Sequence, residues 1–307
     1  MEKLGKYITY DDEFLSNAML FLGRYQLLDI DTKCLILEVI KNNEMVKNLF
    51  SKYLLLDIVS DAKVITPEKM ELKEIIELAN NIFILLFPSY KTEILKYDDL
   101  IYFYDDFPIS FSCFDYQISD SNVIVPDEIE LSSNFNEYSI GVINHEKMHV
   151  LMLEKVLLKK FPGIYMELLS MLIQKISNYV VETETNSKKT ILIDSIIRAT
   201  DNQQQINTLD YLQEIDLSSE SANSYFVFQY LNLKANDYLI SEWYSELLFK
   251  YYMDDSKKLI LKLNEVLTNE ISIQELLNYY QVSLDNNELF SCMNNKLEEV
   301  KKYILKP

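Results

Sequence analysis

The residues with the clearest chemical potential are the two histidines of the chain, His145 and His149, which enclose Glu146 in the segment His-Glu-Lys-Met-His. Side chains four residues apart lie on the same face of a helix, so both imidazoles can reach one metal ion. Glu146 projects beside that pair, where a carboxylate can accept a proton from a metal-activated water and pass it to a leaving amine. The segment therefore predicts a zinc hydrolase site with Glu146 as its general base.

A five-residue motif also occurs by chance, as one turn of a solvated charged helix. Two observations favour a metal site here. The chain contains only two histidines, and both stand at the required spacing around the required glutamate. Apolar neighbours (Val142, Ile143 and Val150) predict that this helix is partly buried, and a buried histidine needs a polar partner.

The third ligand of the predicted site has to come from elsewhere in the chain. Catalytic zinc takes three protein ligands and keeps an open position for water, and no third histidine exists. Glu137 and Glu154 lie on or beside the same helix and cannot curl back to the metal. The remaining candidates are Glu167, eighteen residues after His149, and Glu182, thirty-three residues after it.

Helix geometry leaves these two alternatives open. If a straight helix runs to Phe161 and reverses at the following Pro-Gly pair, Glu182 lies nearer the histidines, and Glu167 lies on the order of 15 Å away. If the helix ends near Glu154 instead, Glu167 comes within reach of the metal.

The rest of the sequence indicates a mainly α protein, a multi-helix body. The 307 residues include only four glycines and six prolines, too few turn formers for a many-stranded sandwich or barrel. Thr66 and Pro67 have the residue types of a helix start. Apolar residues at three-and-four spacing predict three helices over 11–87 and further helices over 138–160, 164–181, 188–200, 219–252, 256–268 and 284–305.

Residues 98–126 change character and predict a small β-sheet inserted before the helix that carries the histidines. Aromatic and β-branched residues alternate over 101–104 and 109–116, as they do in strands. An edge of this sheet could hold an extended peptide by backbone pairing, and a plain structural sheet explains the pattern equally well. We divide the chain into an N-terminal helical region, 1–97, and a catalytic region, 98–307, which form one continuous unit.

The net charge disfavours some classes of binding partner, and the cysteine content indicates the cellular compartment. The formal net charge of −19 disfavours nucleic acids and anionic membrane surfaces, whose phosphates would be repelled. The most apolar stretch, 81–88, is too short to span a bilayer, and the first residues do not read as a secretory signal. Three widely spaced cysteines (Cys34, Cys113 and Cys292) suit reduced thiols. We expect a cytoplasmic protein, and the sequence does not indicate its oligomeric state.

The motif and the segments after it, together about residues 140–305, resemble the oligoendopeptidase F and thimet oligopeptidase family of zinc metallopeptidases. Glu167-Leu168-Leu169-Ser170 matches the E-x-x-S helix of that family. The aromatic run 225–230 is similar to the one near its active site, and the tail follows it at 273–277 and 284–285. The resemblance implies that Glu167 joins His145 and His149 in holding one Zn²⁺ per chain. It also implies short or unfolded peptides as substrates in a deep cleft, although this chain is about half as long as is typical of the family.

Three positions depart from the family pattern. Gln174 stands where the family has a second glutamate, and the family's histidine before the aromatic run has no counterpart. Phe226 and Phe228 align with tyrosines that help to stabilise the tetrahedral intermediate. Donation to that oxyanion is worth a few kcal/mol. Tyr225, one helical turn before Phe228, is the candidate for the missing donor, and an ordinary core or surface tyrosine is the alternative.

The sequence therefore predicts a zinc-dependent metallopeptidase that hydrolyses internal peptide bonds, with Glu146 and Tyr225 as catalytic residues. One alternative is a degenerate zinc-binding protein that binds peptides or a protein partner without turnover. Another is a helical interaction protein in which the motif is accidental. A clostridial-toxin-like protease, with Glu182 as the third ligand, ranks below these.

Overall fold

A computed structural model describes residues 69–104, 112–118, 124–132, 136–155, 163–185, 190–213, 222–283 and 286–304. Most of these residues are helical, which confirms the prediction of a mainly helical protein. The helices are α1 (Leu72–Leu86), α2 (Lys91–Lys96), α3 (Glu137–Lys155), α4 (Gly163–Thr185), α5 (Thr190–Gln213), α6 (Ala222–Asp254), α7 (Ser256–Leu267), α8 (Ile273–Tyr279) and α9 (Asn287–Ile304). Within these ranges, no helix is both long and apolar enough to cross a bilayer.

Three strands precede α3 in the chain: β1 (Ile101–Tyr104), β2 (Ser112–Ile118) and β3 (Ile124–Ser132). They form a sheet of order β1-β3-β2, in which β3 pairs in parallel with β1 and antiparallel with β2. The β2–β3 ladder is irregular between Phe114 and Tyr116. Both β2 and β3 contact α3. The sheet therefore lies beside the helix that carries the two histidines.

Helix α1 is amphipathic and packs its apolar face against α3. It ends at Leu86, just before Pro88, and a 3₁₀ turn over Pro88–Tyr90 leads into α2. A second 3₁₀ turn, Tyr97–Leu100, connects α2 to β1. The predicted helix start at Thr66 and Pro67 lies outside the described residues.

Helices α3 and α4 form the centre of the molecule. Every residue from 136 to 152 is buried, polar ones included. Helix α4 packs against both α3 and α6, and α6 also packs against α5. The Asn178 side chain of α4 lies against Gly141 of α3, where an added Cβ would lie 2.2 Å from Oδ1 of Asn178. One turn on, Asn144 donates a hydrogen bond to the Ser177 hydroxyl at 3.0 Å.

One hydrophobic core joins the N-terminal helix to the C-terminal ones, running without a break from Ile75 in α1 to Leu289 in α9. Helices α7 and α8 begin at defined caps. The Asp255 carboxylate accepts a hydrogen bond from the Lys258 amide, and Ser272 and Glu275 form a reciprocal capping box. These caps define the starts of α7 and α8, while α6 packs against α4, α7 and α9.

Candidate metal centre

Helix α3 presents His145 and His149 one turn apart, with their Nε2 atoms 3.1 Å from each other. The ring centroids are 4.8 Å apart and the ring planes meet at 76°. Both side chains are buried, with 8% and 6% of the residue surface exposed. Two nitrogen ligands at tetrahedral angles around one zinc ion lie about 3.3 Å apart. The spacing of the imidazoles therefore fits a shared ion.

Helix α4 brings the carboxylate of Glu167 to the same point. Its Oε2 lies 3.7 Å from Nε2 of His145, and its Oε1 lies 3.7 Å from Nε2 of His149. These distances are too long for hydrogen bonds and suit groups arranged around a cation. Oε2 is also buried and accepts no hydrogen bond within the described part of the chain. Residues His145, His149 and Glu167 therefore fit a metal ion.

Glu146 follows His145 and is also buried, at 4% exposure. Its Oε1 lies 3.7 Å from Nε2 of His145. The ligand atoms of His145, Glu146 and His149 all lie within 4.8 Å of one another, so this group could hold a metal ion.

The surroundings keep His145 neutral. Burial lowers the pKa of His145 well below its usual 6.5, the neighbouring His149 and Arg198 lower it further, and the interaction with Gln174, which favours the protonated ring, opposes them. A neutral imidazole is the form that binds metals. The unprotonated ligand is therefore present at neutral pH without prior loss of a proton.

Sequence reasoning missed Asp237, a buried residue of α6. Burial and the charge of Glu167 together raise the pKa of the Asp237 carboxyl well above its usual range. A carboxyl that keeps its proton adds no negative charge to the site and can donate a hydrogen bond. No pattern around position 237 points to this role, because it arises from the packing of α6 on α4.

Gln174 lies within a buried polar network behind His145. Its Nε2 donates to the Tyr138 hydroxyl at 2.8 Å and to the Asp194 carboxylate at 3.0 Å, while Arg198 donates to its Oε1. An amide can donate and accept at the same time, whereas a carboxylate here would only accept and would repel Asp194. The local network thus explains physically why glutamine stands at this position.

Next to this network lies a buried charge cluster that links four helices, with Lys175 of α4 at its centre. The Lys175 ammonium lies 2.9 Å from the Glu242 carboxylate and 3.0 Å from that of Glu246. Lys296 of α9 lies 2.7 Å from Glu246. The cluster holds three cations and three carboxylates: Lys175, Arg198, Lys296, Asp194, Glu242 and Glu246.

The structure does not bring Glu182 to the histidines. Glu182 lies near the end of α4, and its carboxylate accepts a hydrogen bond from the Ile191 amide at 2.7 Å, at the start of α5. Fifteen residues separate it from Glu167, which corresponds to about 22 Å along the helix. Tyr225 lies in α6, and its side chain is outside the described residues, as are those of Phe226 and Phe228. The role of Tyr225 stays a prediction.

Comparison with known proteins gives a distant similarity of fold. No protein-family model matches the chain, and no curated protein matches it significantly. A similar solved structure is that of a "putative oligoendopeptidase F from Bacillus anthracis str. Ames", with a TM-score of 0.53 and 13% sequence identity. The match covers 97% of this chain and 57% of that one, so this chain spans little more than half of that length. At this identity, the similarity concerns the fold alone.

Proposed function

We propose that the protein is a zinc-dependent metallopeptidase that hydrolyses internal bonds of peptides. The observation that supports this most directly is the convergence of two buried imidazole nitrogens, 3.1 Å apart, with a carboxylate whose oxygens lie 3.7 Å from them. Two imidazoles and one carboxylate form a donor set of catalytic zinc sites, with a position left open for water. The distant fold similarity to a protein described as an oligoendopeptidase agrees with this proposal.

In this proposal, His145, His149 and Glu167 hold one Zn²⁺ per chain. The bound ion would act as a Lewis acid and lower the pKa of water. Glu146 takes the proton of the attacking water and delivers it to the leaving amine. Burial of His145, Glu146 and His149 lowers the local dielectric constant, which strengthens their electrostatic interactions. Tyr225 is the proposed donor to the oxyanion, and the substrate is a peptide.

The test replaces the proposed base by its neutral isostere, Glu146→Gln. We expect one zinc per chain in the variant, as in the wild type, because His145, His149 and Glu167 remain. Cleavage of an internally quenched peptide library should fall by about 10²- to 10⁴-fold, the usual contribution of general acid–base catalysis. Glu137→Gln is a matched control, since Glu137 is also buried and lies at the start of the same helix. Its activity should stay close to that of the wild type.

Three results that differ from this expectation would each overturn a different part of the proposal. Full peptide cleavage by Glu146→Gln would show that Glu146 is not the base. Stoichiometric zinc in a wild type that cleaves no peptide would indicate the degenerate zinc-binding protein, which Phe226 and Phe228 at the family's tyrosine positions already favour as the second candidate. A wild type that binds no zinc, even when zinc is added, would remove the case for a metallopeptidase.

A further inference from the structure

The middle of the histidine motif contains a lysine that the proposed chemistry does not use. Lys147 lies about 180° around α3 from the two histidines, since each residue turns the helix by about 100°. Its side chain is completely buried, with 0% exposure. A fully buried lysine is rare unless it is paired, so this side chain requires an explanation.

The Lys147 ammonium is held by two acceptors from different parts of the chain. It donates to Oδ1 of Asn80 at 2.5 Å and also donates to Oδ1 of Asp98. Asn80 in turn donates to Oδ2 of Asp98 at 2.7 Å, which closes a ring of three side chains. We call these three residues the Lys147 anchor. The anchor joins α3 to α1 and to the 3₁₀ turn that leads into β1.

Stability alone does not explain the anchor. Taking an ammonium group out of water costs several kcal/mol, and replacing a buried ion pair by apolar residues of similar volume is often neutral or stabilising. The residues beside Lys147 along the helix, such as Met148 and Leu151, are apolar and fully buried. An apolar side chain at position 147 would match these neighbours along the helix, but it would leave Asn80 and Asp98 without the ammonium. It would not supply directional bonds from α3 to its neighbours.

Directional bonds matter here because the candidate metal centre is sensitive to the rotation of α3. Side chains reach about 5–6 Å from a helix axis, so a 20° rotation moves their ends by about 2 Å. That displacement is large beside the 3.7 Å distances between the two imidazoles and Glu167. Functional groups have to be held within roughly 10–20° of the productive geometry.

We propose that Lys147 is a positioning residue of the metal centre: bonded to Asn80 and Asp98, it fixes the rotation of α3 so that His145 and His149 face Glu167. This inference rests on the proposed metal site. It assigns a role to the side of α3 that lies opposite His145 and His149.

The test compares the wild type with Lys147→Met, which keeps the length and apolar stem of the side chain, and with the double variant Lys147→Met/Asp98→Asn. The double variant also removes the carboxylate that the first change leaves without its ammonium. Three quantities are measured: Zn²⁺ affinity by competition with a chromophoric chelator, the visible absorption of the Co²⁺-substituted protein, and urea unfolding of the metal-free protein.

We expect the double variant to recover much of any stability lost in the single variant. In both variants, the affinity for Zn²⁺ should be at least about tenfold lower than in the wild type, since residues that orient metal ligands typically contribute 10–100-fold to affinity. Their Co²⁺ spectra should differ from that of the wild type, which reports altered ligand geometry. The matched control is Lys296→Met, which removes a lysine of 10% exposure from an ion pair between α9 and α6. It should change stability while leaving the metal affinity and the Co²⁺ spectrum unchanged.

Two outcomes would overturn the inference on its own. One is a folded double variant with wild-type metal affinity and an unchanged Co²⁺ spectrum. The other is a Lys296→Met variant with the same metal defect, which would indicate a general effect of losing a buried charge. If Lys147→Met does not fold, Asn80→Ala removes one acceptor of the anchor, and wild-type metal binding there would likewise overturn the inference. A wild type that binds no metal would instead refute the proposed function, and this inference with it.

Discussion

Glu167 and Glu182 lie on the same helix, yet the structure gives them different partners. Glu167 faces the two imidazoles of α3, and Glu182 accepts a hydrogen bond from the amide of Ile191. We expect Glu167→Ala to lose its zinc, as measured by elemental analysis after dialysis. Glu182→Ala should keep one zinc per chain and lose about 1 kcal/mol in its free energy of unfolding, the usual value of a helix-capping bond.

The two variants serve as controls for each other, since both remove one glutamate from α4. Loss of zinc in Glu182→Ala with retention in Glu167→Ala would reverse the assignment of the third ligand. If both variants keep their zinc, the ion needs neither Glu167 nor Glu182. Glu146 would then be the acidic ligand, which its position beside His145 and His149 permits.

For individual site residues, the sequence was informative where the residues lie within one helical turn of each other. The motif spacing sufficed to predict that His145 and His149 share a face, because helix geometry fixes that relation. The choice between Glu167 and Glu182 depends instead on how α3 crosses α4, which no local pattern encodes. Asp237 was missed for the same reason, since its position beside Glu167 results from tertiary packing.

Gly141 of α3 lies directly against the Asn178 side chain of α4. A Gly→Ala change inside a helix normally stabilises it by up to about 1 kcal/mol. Here the added Cβ would lie 2.2 Å from Oδ1 of the buried Asn178 side chain, so we expect the opposite sign. Overpacking of this kind typically costs about 1–3 kcal/mol. Urea unfolding of Gly141→Ala measures this loss.

The same substitution should weaken zinc binding, because it pushes His145 of α3 away from Glu167 of α4. A double variant, Gly141→Ala/Asn178→Ala, separates the clash from other effects. Shortening Asn178 makes room for the new methyl group, so stability should return toward that of Asn178→Ala alone. A Gly141→Ala variant as stable as the wild type would mean that Asn178 moves aside at no cost.

Within the described residues, periodicity predicted that the long helices exist, although not all of their ends, and it missed the short ones. The predicted ranges 219–252 and 256–268 agree within a few residues with α6 and α7, and of these two helices α7 is the clearly amphipathic one. Helix α5 continues to Gln213, well beyond the predicted end at 200. Helix α8 was not among the predicted helices, although its capping box, Ser272 with Glu275, was a readable signal for a helix start. Short helices of this kind depend on their caps and on packing more than on periodicity.

The buried charge cluster ties α4, α5, α6 and α9 together across the molecule, and Glu246 makes the whole protein sensitive to acid. Burial opposes ionisation of Glu246, but Lys296 and Lys175 outweigh it and lower its pKa to about 2 from the usual 4.5. Between these values the unfolded chain binds a proton that the folded chain does not. The stability that Glu246 contributes is therefore present above pH 4.5 and declines as the pH falls toward 2.

Comparison of urea unfolding at pH 6 and pH 3 tests this effect. Titration of Glu246 alone should cost the wild type on the order of 2 kcal/mol between these conditions. Glu246→Gln should be less stable at pH 6, because two lysines lose their partner, and should lose correspondingly less on acidification. Glu77→Gln removes a carboxylate exposed on α1, and its pH dependence should parallel that of the wild type. A parallel curve for Glu246→Gln would contradict the prediction.

The close approach of His145 and His149 also has a spectroscopic consequence for the molecule as a whole. The 307-residue sequence contains no other histidine. All imidazole protons in an NMR spectrum of this chain therefore belong to these two neighbouring rings, because no other histidine contributes signals. A titration in which those lines shift reports an event at the α3 face directly. A ligand that binds tightly and leaves both lines in place has bound somewhere else.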